Sequence, residues 1–172
     1  MKIFLIGPMG SGKSKIGRIL SEKLSISLFD IDKEIEKDLN MSITEIFASK
    51  GEIFFRNTET DYLIKTKGLR DCIVSTGGGV IEEIKNLEFL KKEANVVFLN
   101  CSVESQYENT KNSAKRPLLL TNDPKLTLQT LYEKRFDSYK KVSKLELLSD
   151  SMSNDEIANK IINNIIAVFS CN

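Results

Sequence analysis

The sequence predicts an α/β protein in three layers, a parallel sheet covered by helices on both faces. Three observations carry this. Short apolar runs alternate with helically periodic stretches from end to end of the chain. The first run stops at a glycine-rich turn that leads straight into a helix. The 172 residues contain no linker, repeat or low-complexity tract, so one domain spanning 1–172 accounts for them.

The elements follow in order. Lys2–Ile6 is a short apolar run ended by Gly7-Pro8, the pattern of a buried strand. Ser14–Leu24 places Ile16, Ile19, Leu20 and Leu24 at helical spacing. Ile26–Phe29 is strand-like and runs into Asp30-Ile31-Asp32. Two helical stretches follow, the second opened by the capping box Ser42-Ile-Thr-Glu45, and Glu52–Lys67 is helical. Cys72–Thr76 is a strand ending in Gly77-Gly78-Gly79. A helix over about 81–93 leads to the strand Val96–Leu99. Ser102 caps a short helix to Asn109. Lys111–Pro124 is polar and aperiodic, a candidate mobile loop. Leu126–Val142 is helical, Leu145–Leu148 a last strand, and Asn154–Phe169 the closing helix.

Composition excludes several classes. Twenty-five basic residues balance 24 acidic ones, leaving +1, whereas a nucleic-acid binder carries a basic surplus. With no histidine and three scattered cysteines, Cys72, Cys101 and Cys171, neither a zinc site nor a disulfide framework is expected. A histidine general base is excluded. No stretch approaches the ~20 apolar residues of a membrane span, and the N-terminal apolar run is too short for a signal peptide. The expectation is a cytoplasmic protein with no nucleic-acid or membrane partner, and nothing demands more than a monomer.

Gly7-Pro-Met-Gly-Ser-Gly12-Lys13-Ser14 matches GxxxxGK[ST], with a strand before it and a helix after. Backbone N–H groups of such a loop point at phosphate oxygens, and the helix N-terminus adds positive potential. Gly10, Ser11, Gly12, Lys13, Ser14 and Lys15 are the expected nucleotide-binding residues. Lys13 reaches the β- and γ-phosphates, and the Ser14 hydroxyl ligates Mg²⁺. The motif specifies a nucleoside triphosphate with magnesium and leaves the phosphate's destination open.

For the acceptor, Asp30 and Asp32 lie at the end of the second strand, where open parallel sheets place ligands. In an extended chain the two share a face. One then holds the metal's water shell while the other accepts a hydroxyl proton; the alternative is helix N-capping. Gly77-Gly78-Gly79 is either a backbone platform against a ligand or a flexible turn. Only five of the 25 basic residues are arginine, so arginine marks positions wanting a planar, bidentate donor. Arg70 is a surface charge and Arg18 a structural residue on this reading. Arg56, Arg116 and Arg135 are site candidates, with helix-surface ion pairs the alternative for Arg56 and Arg135.

Together GPMGSGKSKIGR at 7–18, FDID at 29–32, GEIFFRNTE at 51–59, STGGG at 75–79, RPLL at 116–119 and Arg135-x-x-x-Tyr139 resemble the shikimate kinase family, in its order and spacing. The resemblance implies a nucleoside-monophosphate-kinase-like fold: a five-stranded parallel sheet, a phosphate-loop core, a substrate-binding segment over about 31–61 and a lid over about 111–124. It implies ATP and shikimate as partners, with the γ-phosphate passing to the shikimate 3-hydroxyl in aromatic amino-acid synthesis. Carried over by motif, Asp32, Arg56, Gly78, Gly79 and Arg135 bind shikimate. Lys13, Asp32 and Arg116 are catalytic, Arg116 meeting the phosphates from the lid, and Ser14, with Asp30 through water, holds Mg²⁺. Where the family commonly has an arginine against adenine, this chain has Asn109; by position the base then rests on the loop over 150–154. The alternatives are another small-molecule kinase, acting on gluconate or a nucleotide, and a nucleotide-gated switch. The missing NKxD motif argues against a GTP switch.

Overall fold

The computed structural model describes residues 1–112 and 116–170. Cys171 and the centre of the expected lid, 113–115, lie outside them. Among the described residues, five strands form one all-parallel sheet: β1 (Lys2–Ile6), β2 (Ser27–Asp30), β3 (Cys72–Ser75), β4 (Val96–Asn100) and β5 (Leu145–Leu148), in the order β2-β3-β1-β4-β5.

Alternation along the strands builds two cores. Ile3, Leu5, Ile73, Val97 and Leu99 face one side, where α1 (Lys13–Leu24) and α7 (Asn154–Ser170) cover them with Ile16, Leu20, Ile157 and Ile161. Phe4, Ile6, Val74, Val96 and Phe98 face the other. There α2 (Ile31–Leu39), α3 (Ile43–Lys65), α4 (Ile84–Lys91) and α6 (Pro124–Val142) supply Ile35, Leu63, Leu90 and Tyr139. The α5 helix (Val103–Thr110) packs on α6. The three central strands, β1, β3 and β4, are buried on both faces, which explains their mostly apolar sequence.

The boundaries moved where capping won. The α2 helix starts at Ile31, because the extended Asp30 caps it, its carboxylate accepting from the Lys33 N–H. Asp32 is therefore in the first helical turn, and its sharing an extended face with Asp30 is corrected. The capping box formed as expected: the Ser42 hydroxyl accepts from the Glu45 N–H while Glu45 accepts from the Ser42 N–H at 2.7 Å. Gly51, at φ 82°, interrupts α3. The helix expected over 81–93 is a 3₁₀ turn, Val80–Glu82, followed by α4. The expected mobile loop contains a 3₁₀ turn at Pro117–Leu119.

Candidate active site

Every strand's C-terminal end points to the same edge of the sheet, and the functional side chains gather there. The phosphate loop runs from β1 into α1, with Gly12 at φ 90° as the helix N-cap, a left-handed conformation that favours glycine. Lys13 folds over this loop, its Nζ donating to the Gly7 and Pro8 carbonyls at 2.7 Å each. Burial, then the nearby Arg116, depress its ammonium to about 8. The Asn109 side chain donates to the Gly10 carbonyl at 2.9 Å, tying the loop to the end of α5.

The Ser14 hydroxyl donates to Asp30 Oδ2 at 2.7 Å. Asp30 thus does both things the sequence left open: it caps α2 and faces the phosphate-loop serine. Two hard oxygens side by side suit Mg²⁺, which takes few protein ligands when phosphates supply the rest. Among the described residues no group of three or more acidic, cysteine or histidine side chains could hold a metal by itself.

Two cavities open beside the loop. The larger, an open cleft, is lined by all seven predicted nucleotide-binding residues, Gly10 to Lys15 and Arg116. Asn109, Asp150, Asn154 and Arg18 also line it, and Arg18, expected to be structural, is exposed there. The smaller is lined by Asp32, Arg56, Gly78, Gly79 and Arg135, the full predicted acceptor set. Ile43, Phe47 and Phe55 form its apolar wall, a contribution the sequence reading missed. Met9, Asp32, Gly78 and Arg116 line both cavities.

Arg56 and Arg135 do form ion pairs, though not on the surface. Arg56 is 8 % exposed and Arg135 3 %. Arg56 bonds Glu59 at 2.9 Å and Glu52 at 3.0 Å. Arg135 Nε donates to Glu82 at 3.0 Å. Their guanidinium groups are fixed from behind and face the cavity. The Tyr139 hydroxyl donates to the Gly78 carbonyl, holding the glycine turn. Asp32 Oδ1 and Arg116 Nε are both buried without a protein partner. Burial, with Asp30 adding to it, pushes the Asp32 carboxyl up. Glu59, which sequence reasoning passed over, is fully buried and is likewise raised to about 7. Its signal was present as the Arg-x-x-Glu spacing, one helical turn.

A phosphate loop beside a smaller cavity lined by arginines and an aspartate defines a phosphotransferase of the phosphate-loop kinase class. The protein-family model for shikimate kinase matches residues 9–166, and the chain belongs to the shikimate kinase family. A shikimate kinase of Marinomonas sp. is 40% identical over 165 residues, covering 95% of this chain and 91% of its own. One from Persephonella marina is 36% identical, covering 95% and 98%. Among solved structures, a shikimate kinase from Acinetobacter baumannii in complex with shikimate superposes with a TM-score of 0.93 at 36% identity, covering 96% of this chain and 93% of that one. A deoxyadenosine kinase from M. mycoides shares the fold alone, at 17% identity and a TM-score of 0.63. The activity of this family is that of a kinase, and the sequence resemblance is borne out.

Proposed function

We propose that the chain transfers the γ-phosphate of ATP to the 3-hydroxyl of shikimate, with the larger cavity holding ATP and the smaller one shikimate. The observation that carries this assignment of sites is the shared wall: Asp32, Gly78 and Arg116 touch both cavities, so a donor and an acceptor filling them meet there.

The roles follow from chemistry. Arg56 and Arg135 present planar forks to the acceptor's carboxylate. Gly78 and Gly79 let the backbone come close to the sugar-like ring. Asp32, whose side chain lines both cavities, accepts the proton of the attacking hydroxyl. Lys13 and the backbone N–H groups of the loop hold the β- and γ-phosphates. Arg116, whose Nε lacks a partner, stabilises charge spread over the transferring oxygens. Ser14, with Asp30 through water, would hold Mg²⁺, which when bound neutralises charge shared by the β- and γ-phosphates. The segment over about 31–61 is the acceptor-binding unit. The 111–124 segment is the lid that excludes water from the triphosphate.

A panel of shikimate, gluconate and a nucleoside monophosphate, each with ATP and Mg²⁺ and coupled detection of ADP, tests the reading. Turnover with shikimate alone is expected. Preference for either other acceptor would overturn it.

A further inference from the structure

Glu59 lies behind Arg56 rather than in the acceptor cavity. It is 0 % exposed, one oxygen (Oε2) taking Arg56 Nη1 at 2.9 Å, the other (Oε1) buried with no partner. Asp32 Oδ1 is the neighbouring buried oxygen without a partner. A Cβ built on Gly77 would lie 2.1 Å from Glu59 Oε1 and 3.0 Å from Asp32 Oδ1. The two unpartnered oxygens therefore both lie against the glycine turn at Gly77.

The acceptor's carboxylate adds an anion to this place. Arg56 already serves two glutamates, and they differ in what they can do. The Glu52 side chain is 48% exposed and can turn to water. Glu59 is packed against Gly77 and cannot leave. The titratable groups that face it are Arg56 on its own helix, Asp32 from α2, and Arg135 with the neutral Tyr139 hydroxyl from α6. Two of the four are cations, and both are to be shared with the incoming carboxylate. An uncompensated buried carboxylate relieves itself by protonation.

We propose that Glu59 takes up one proton from the medium when the acceptor's carboxylate docks on Arg56, and that its protonated Oε1 then donates to Oδ1 of Asp32. This rests on the reading of Arg56 as the carboxylate fork. It makes Glu59 a positioning residue, one that satisfies both buried oxygens with a single proton and removes a like charge from beside Asp32. Burial, opposed by Arg56 and aided by Asp32, already puts the free Glu59 carboxyl near 7. Acceptor affinity should accordingly be constant below about pH 7 and fall up to about tenfold per unit above it.

The test is calorimetric titration of the whole chain with shikimate at pH 7.5, in buffers of different ionisation enthalpy. The slope of heat against buffer enthalpy counts protons. Uptake of roughly half to three-quarters of a proton per shikimate is expected, since about three-quarters of the free carboxyl is ionised at that pH. Glu59→Gln, which mimics the protonated form, should bind with a slope of zero and lose the affinity change above pH 7. A zero slope for the unaltered chain would overturn the inference without needing the variant. So would a slope that survives in Glu59→Gln. Failure of the underlying reading looks different: shikimate would give no heat, or Arg56→Lys would bind it normally.

Discussion

The guanidinium of Arg56 lies directly against the α-carbon of Gly79: a Cβ there would sit 2.4 Å from the arginine's Cζ. No real Cβ contact is that short, so the glycine is required by the arginine's position. Gly79→Ala should push the fork out of line while leaving the phosphate loop untouched. Shikimate KM should rise by about tenfold or more, equivalent to ~1.4 kcal/mol, with the ATP dissociation constant unchanged. Steady-state kinetics with a separate nucleotide titration checks both halves.

Arg116 faces both cavities, and its Nε lacks a partner. A donor aimed at developing charge acts on the transition state. Arg116→Ala should lower kcat by roughly 10²–10³-fold and change shikimate affinity little. An equal loss in affinity and kcat would instead make it a simple binding group.

Glu59 also leaves a mark on the stability of the ligand-free protein. Its ordinary value of 4.5 rises to about 7 in the fold, so between those values the folded chain keeps a proton that the unfolded chain has lost. Stability from this group is therefore full below about pH 4.5 and declines as pH rises towards 7. Glu59→Gln removes that dependence. The Tm of the unaltered chain, relative to the variant, should fall between pH 5 and pH 7.5. A constant difference across that range would show that the group does not titrate there.

What the sequence revealed and what it hid divide along physical lines. The strands were legible because all but the exposed edges of the sheet are buried on both sides, and the phosphate loop because its glycines and Lys13 stand between a strand and a helix. All six loop residues and all five acceptor residues fell into the two cavities. The helical placement of Asp32 was hidden, since the strand pattern runs through Asp30 and only the capping geometry stops it. Glu59 was hidden for another reason. Its pairing with Arg56 was legible in the Arg-x-x-Glu spacing, but a glutamate on a helix is ordinarily solvated, and its burial, which comes from the packing of Gly77 and Arg56 around it, was not. That Arg18 lines the larger cavity depends likewise on where α1 starts.

The central claim is that the two cavities form one reaction site joined at Asp32, whose carboxylate takes the acceptor's proton. Asp32→Asn keeps the side chain's shape and removes the base. Its kcat, measured with ATP and shikimate at saturation beside the dissociation constant of each, tests the claim most directly. A positioned base contributes ~10²–10⁴-fold, so kcat should fall within that range while both ligands still bind. A fall of less than about tenfold, with both ligands bound, would contradict the claim and leave Asp32 as a binding group alone.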